Sequence, residues 1–121
     1  MVEAEERHRA LVQELIADVA SYKPDLDREL LEHAFAVAAR AHAGQQRRSG
    51  EEFVRHPFGV AKILAGLHMD EQTLAAALLH DVVEDTDMPL DEVRAEFGEE
   101  VARLVEGVTK LTRIQFQSRE E

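Results

Sequence analysis

The sequence predicts an all-α fold on three observations. Apolar residues recur with helical spacing nearly throughout the 121 residues. No run alternates between polar and apolar residues in the way that a half-buried strand would. Residues that start or stop helices, notably Pro24, Gly44, Pro57, Pro89 and Gly98, mark ends of the helical segments. We therefore expect a bundle of about six helices.

The first two helices are predicted from their apolar spacing and their stop signals. The first runs from about Glu3 to Ser21 and ends in YKPDLD, because the residue before Pro24 disfavours the helical conformation. The second runs from about Asp27 to Ala43 and stops at the following glycine. Its predicted buried face comprises Leu30, Leu31, Ala34, Phe35, Ala38 and Ala41.

The third and fourth helices follow a loop from residue 44 to residue 55. Pro57 suits the first helical position, which leaves His56 at or near the N-cap of a third helix that runs to about Leu67. The fourth helix is predicted from about Asp70 to Glu84.

The last two helices are separated by a glycine. Pro89 and the acidic residues after it start the fifth helix, which ends at Gly98. The sixth begins near Glu99.

Composition limits the functional classes. The chain has the length of one domain, spanning residues 1–121, and it lacks cysteine, so neither a disulfide framework nor a thiolate metal site is available. With no signal peptide and no apolar run that could cross a bilayer, we expect a cytoplasmic protein without a membrane partner. A net charge of −11 argues against DNA binding and requires a basic patch or a metal for any anionic ligand.

The segment LLHDVVEDT is the strongest chemical feature. On a helix, His80, Asp81, Glu84 and Asp85 share one face, and the opposite face holds Ala75, Ala76, Leu78, Leu79, Val82 and Val83. A solvated face is the alternative, but such a face usually mixes Lys and Arg with its acids, and neither occurs between residues 67 and 91. Imidazole together with carboxylates suits Mn²⁺, Fe²⁺ or Zn²⁺.

His56, followed about two dozen residues later by a His-Asp pair, resembles the pattern of the HD phosphohydrolase superfamily. From about Leu30 to Glu121 the chain resembles the N-terminal hydrolase domain of the RelA/SpoT homologue family, through AHAGQQRRSGEEFVRHP, LLHDVVEDT, FGEEVARLVEGVTKLTRI and FQSREE. The resemblance implies an HD-type helical bundle that removes pyrophosphate from the 3′ position of ppGpp or pppGpp and yields GDP or GTP. Mn²⁺ is the implied cofactor, with another divalent transition metal as the alternative, and the ribosome is an implied partner of the larger protein.

Carried over residue by residue, the resemblance implies roles for five side chains around the metal. His56, His80 and Asp81 are similar to the metal ligands of the family. Glu84 and Asp85 match its acidic pair, which would orient and deprotonate the attacking water.

A second group matches the loop that holds the substrate. Arg47, Arg48 and Ser49 are similar to the residues that contact the guanine base and a nearby phosphate, where a guanidinium can stack on the base or make a forked contact. Arg48 stands where lysine is common and Phe53 where tyrosine is common, which changes the donor geometry and removes a hydroxyl.

The family closes its metal site with an aspartate on a later helix that this sequence does not contain. We therefore expect an incomplete HD domain, without the synthetase domain, that binds Mn²⁺ weakly and shows negligible turnover. We also expect His80, Asp81, Glu84 and Asp85 to face solvent without a metal, and the chain to self-associate through exposed apolar surface, by pairing of its final helices.

Two alternatives stay open from the sequence. A different HD-family nucleotide phosphohydrolase would use the same ligands on another substrate. A non-catalytic binding or interaction module would use the fold without turnover.

Overall fold

A computed structural model describes residues 2–41, 55–85 and 88–108, with side chains over 6–41, 57–83 and 88–108. Five helices have defined bounds: α1 Val2–Ala20, α2 Arg28–Ala41, α3 Arg55–Gly66, α4 Glu71–Asp85 and α5 Leu90–Phe97. A sixth helical segment spans 99–108, and the described ranges contain no strand. The prediction of an all-α fold with six helices is confirmed.

The helix starts show how the sequence sets the boundaries. A side-chain oxygen of Asp27 accepts a hydrogen bond from the Leu30 amide at 3.2 Å, and Asp70 accepts one from the Thr73 amide at 2.9 Å. Both aspartates are therefore N-caps, which explains why the helices begin one residue later than predicted.

His56, expected at or near the N-cap of the third helix, is the second residue of α3, which begins at Arg55. Pro57 is its third residue rather than its first. Proline fits there as well, since the amides of the first turn have no partner within the helix.

The first four helices alternate in direction. The amide of Asp27, before α2, donates to Glu71 at the start of α4, so these two helices start at the same end. Lys62, late in α3, pairs with Asp18, late in α1. Because α4 packs on α2 and α3, and α1 packs on the same two helices, the end of α2, the start of α3 and the end of α4 share the opposite end of the bundle.

Helix α4 supplies the centre of the core. Its fully or almost fully buried residues are Leu74, Ala75, Ala76, Ala77, Leu78, Leu79 and Val82, and Val83 is half-buried. The residues of the predicted apolar face are therefore buried, with Val83 at its margin, but Leu74 and Ala77, on the side of Asp81, are buried as well. The edge-on contact between Phe35 and Phe58, with centroids 6.2 Å apart, joins α2 to α3 in the same core. No described helix combines the length and apolarity that a membrane crossing requires.

Two loops are tied together at the end where α4 begins. Tyr22 donates to the Met69 carbonyl at 2.5 Å, and its ring stacks on His68 with centroids 4.4 Å apart. The Lys23 ammonium lies 3.0 Å from one oxygen of the buried Glu71. These contacts connect the segment before α2 to the turn before α4. They therefore set the position of α4 along the axis of α2.

We predict that the Glu71 contacts make the fold sensitive to acid. Burial alone would raise the pKa of Glu71, but the Asp27 amide and the Lys23 ammonium outweigh it and hold that pKa below its ordinary value. A carboxyl with a lowered pKa stabilises the fold above the pKa that it has when unfolded, and this contribution is lost as the pH falls through the folded pKa.

Glu71→Ala should therefore lower the free energy of unfolding by about 2 kcal/mol at pH 7, because it removes the hydrogen bonds that a charged carboxylate accepts from the Asp27 amide and the Lys23 ammonium. The difference from wild type should shrink as the pH falls below about 4, near the ordinary glutamate pKa. Denaturant titrations at pH 3 to 7 measure this, with the exposed Glu32→Ala as the matched control. A Glu71→Ala penalty that does not change with pH would contradict the role of the charge.

Candidate metal centre

The backbone places the predicted ligand positions on α3 and α4 at the same height along the two helix axes. Helices α3 and α4 pack together and are joined by the short turn over 67–70. His56 precedes Gly66 by ten residues and His80 follows Glu71 by nine, so at about 1.5 Å per residue both lie roughly 14–15 Å from the turn. The position of His56 on α3 is thus level with His80 and Asp81 on α4, as the antiparallel arrangement predicts.

The His80 ring is oriented by its own helix. Its Nδ1 lies 2.7 Å from the Ala77 carbonyl oxygen, one turn earlier. Since a carbonyl can only accept, Nδ1 carries a proton and donates it. Nε2 is then the ring nitrogen that can serve as a ligand atom, which is how metal-bound histidines are usually held by a backbone carbonyl.

Asp81 lies beside that nitrogen. Its Oδ1 is 3.0 Å from His80 Nε2, and the two side chains are 13% and 12% exposed. Two electron-rich atoms this close require a shared positive charge, either a proton on Nε2 or a cation between them. Ligand atoms about 2.1 Å from a common cation and about 90° apart are also about 3.0 Å apart. A divalent cation is therefore one of the two ways in which this pair can be held together.

The burial of this pair corrects one expectation. His80 and Asp81 were expected to face solvent without a metal, yet each side chain is only about one-eighth exposed. The reason is that both adjoin the most buried part of α4, where Leu78, Leu79 and Val82 are fully buried. The pair is therefore largely removed from water before any cation binds.

The other predicted site residues lie partly or wholly outside the description. The side chains of His56, Glu84 and Asp85 lie outside it, although their backbone belongs to α3 and α4. By helical register Glu84 follows His80 by one turn, and Asp85 follows Asp81 by one turn. Arg47, Arg48 and Ser49 fall between the described ranges.

Among the described side chains no group of three His, Asp or Glu residues could hold a metal. Of the predicted ligands, His80 and Asp81 on α4 are the two whose side chains the structure describes. The Ala77 carbonyl is a further functional group that the sequence analysis missed, because a backbone oxygen leaves no residue-type signal.

Comparison with known proteins shows the family of the chain. The family model described as HD domain matches residues 34–121. Over 107 residues the chain is 47% identical to a guanosine-3′,5′-bis(diphosphate) 3′-pyrophosphohydrolase of Vibrio cholerae, covering 88% of this chain and 15% of that protein.

Two further relatives match the chain with similar identity and over a similar share of its length. The bifunctional (p)ppGpp synthase/hydrolase SpoT of Escherichia coli is 46% identical over 103 residues, covering 85% of this chain and 15% of that protein. A probable GTP pyrophosphokinase of Mycobacterium leprae is 48% identical over 104 residues, covering 86% and 13%. The chain thus spans 13–15% of the length of these relatives.

Proposed function

This chain belongs to the HD-domain family and is of the RelA/SpoT type, and from this we propose that it carries the metal site of a (p)ppGpp hydrolase. The proposed reaction removes the 3′-pyrophosphate of ppGpp or pppGpp and leaves GDP or GTP. The observation that carries the proposal is the His80–Asp81 pair, largely buried, oriented by the Ala77 carbonyl and level with His56.

In the proposed site His56, His80 and Asp81 hold the cation, for which Mn²⁺ is the first choice. When bound, a divalent cation supplies Lewis acidity, which lowers the pKa of water and offsets phosphate charge. The chain itself supplies the proton acceptor: Glu84 and Asp85 orient and deprotonate water.

The bond that breaks joins the ribose 3′ oxygen to phosphorus. The water oxygen bonds to that phosphorus, and the 3′ oxygen leaves as a hydroxyl. Arg47, Arg48 and Ser49 hold the base and a phosphate in the proposed complex. A local basic loop of this kind suits an anionic substrate, because the rest of a chain with a net charge of −11 repels one.

Pyrophosphate release from ppGpp in the presence of Mn²⁺ tests the proposal. We would assay both the 121-residue chain and the full-length gene product, with EDTA-treated samples as the control and with dNTPs and nucleoside monophosphates as competing substrates. The expected result is Mn²⁺-dependent release from ppGpp by the full-length product. Release from dNTPs alone would assign the site to another class of HD phosphohydrolase, and no release by folded, metal-loaded protein would support a binding module.

A further inference from the structure

The turn between α3 and α4 contains a residue in a conformation that favours glycine. His68 has a φ of 61°, and among the described residues it is the one non-glycine residue with a positive φ. The His68 amide donates to the Ala65 carbonyl at 3.0 Å, and the Met69 amide donates to the Leu64 carbonyl at 3.1 Å. These two bonds form a Schellman motif, which ends a helix with a left-handed residue that is usually glycine. His68 therefore stands where a glycine would fit with less backbone strain.

The His68 ring makes a contact that a glycine could not make. It stacks on the Tyr22 ring with the centroids 4.4 Å apart and the two planes within 20° of parallel. The Tyr22 hydroxyl donates to the carbonyl of Met69, the next residue of the turn. Burial, together with the nearby carboxylates, raises the pKa of that hydroxyl, so it stays protonated and able to donate. Tyr22 thus holds the turn by its ring and by its hydroxyl.

The turn joins the two helices that carry the predicted ligands. His80 and Asp81 are neighbours on α4 and need no other helix for their contact. The position of His56, in contrast, is level with them only while α3 and α4 keep their alignment. A slide of one residue moves a helix by about 1.5 Å, whereas functional constellations are held to within about 0.5 Å. The geometry of the turn therefore decides whether the three ligand positions converge.

Packing next to the turn resists such a slide only weakly. In the half of α3 that adjoins the turn the buried residues are Ala61 and Ala65, and small side chains interlock little with a neighbouring helix. We propose that His68 is a positioning residue for the metal centre, and that its stack on Tyr22 keeps α3 and α4 aligned. The inference rests on the proposed function, because it requires a cation shared by the two helices. It also gives a reason for the strain at His68, which the contacts of the turn hold in place.

Two substitutions at His68 separate alignment from stability. His68→Gly relieves the backbone and removes the stack, so it should melt no lower than wild type yet bind Mn²⁺ at least about threefold more weakly. His68→Phe keeps a ring against Tyr22, so it should bind Mn²⁺ like wild type although the backbone stays strained. Electron paramagnetic resonance of free Mn²⁺ measures both affinities in the 121-residue chain, and Leu67→Ala, at an exposed residue of the same turn, is the matched control. Wild-type affinity in His68→Gly, or an equal loss in His68→Phe, would overturn the proposal.

A double-mutant cycle with His56 tests the route of the effect. Misalignment can cost no more than the loss of the His56 ligand itself, so His68→Gly should weaken Mn²⁺ binding less than His56→Ala does. Adding His68→Gly to His56→Ala should then change the affinity by less than about twofold, whereas additive losses would overturn the proposal.

The His80→Ala variant distinguishes the two ways of failing. If His80→Ala weakens Mn²⁺ binding and His68→Gly does not, the positioning role alone is wrong. If His80→Ala leaves Mn²⁺ binding unchanged, the proposed metal site is wrong, and the positioning role falls with it.

Discussion

Replacing His80 by alanine is expected to lower pyrophosphate release from ppGpp by about three orders of magnitude in the full-length gene product. A metal site contributes several kcal/mol to a transition state of this kind, and each 1.4 kcal/mol corresponds to about a tenfold change in rate. The substitution removes Nε2, the ring nitrogen beside Asp81 that can act as a ligand once Nδ1 donates to the Ala77 carbonyl. Steady-state rates at saturating Mn²⁺ measure the loss.

The controls separate the loss of a ligand from the loss of the fold. His33→Ala removes a histidine whose side chain is 47% exposed on α2, and it should leave the rate nearly unchanged. Asp81→Asn keeps the size of the side chain and removes its charge, so it should reproduce most of the His80→Ala effect. Activity that survives in folded His80→Ala would contradict a specific metal role.

Mn²⁺ binding to the 121-residue chain gives a readout that does not depend on turnover. Electron paramagnetic resonance of free Mn²⁺ should show weaker binding in His80→Ala than in wild type, with His33→Ala matching wild type. The comparison extends to Mn²⁺ in the millimolar range, so that weak binding is also detected.

The faces of α4 were predictable because one local rule governs them. A period of about 100° per residue separates the apolar side from the side of His80 and Asp81, and the burial of Leu78, Leu79 and Val82 follows it. The burial of Leu74 and Ala77, which lie on the side of Asp81, does not follow from it and depends on how the bundle closes around α4. Helix starts were predicted to within about two residues, because capping by Asp27 and Asp70 depends only on the neighbouring amides.

What the sequence could not predict depends on residues distant along the chain or on the backbone. Glu71 is held by Asp27, 44 residues away, and nothing local pairs the two. The orientation of His80 depends on a carbonyl, and the low exposure of His80 and Asp81 depends on how the bundle closes around α4. The roles of Arg47, Arg48, Ser49, Glu84 and Asp85 stay predictions that follow from the family resemblance.

Replacing Leu78 by alanine is expected to cost about 2–5 kcal/mol of unfolding free energy, a large share of the roughly 5–15 kcal/mol that is typical of a whole domain. Leu78 is fully buried at the centre of the core, and truncating it leaves a cavity between α4 and its neighbours. Thermal and denaturant unfolding measure the loss. Leu67→Ala, at a leucine that is 62% exposed, is the matched control and should change stability by less than about 0.5 kcal/mol in dilute solution.

Leu78 and His80 are two residues apart on the same helix, so the pair of substitutions distinguishes packing from chemistry. Leu78→Ala should lower stability while each folded molecule keeps its affinity for Mn²⁺, because the His80–Asp81 pair and the Ala77 carbonyl are untouched. In His80→Ala the folded molecules themselves should lose affinity for Mn²⁺. If the folded fraction of Leu78→Ala lost Mn²⁺ binding as fully as His80→Ala, the cation site would depend on the packing of α4 as a whole, and a separate ligand role for His80 would not stand.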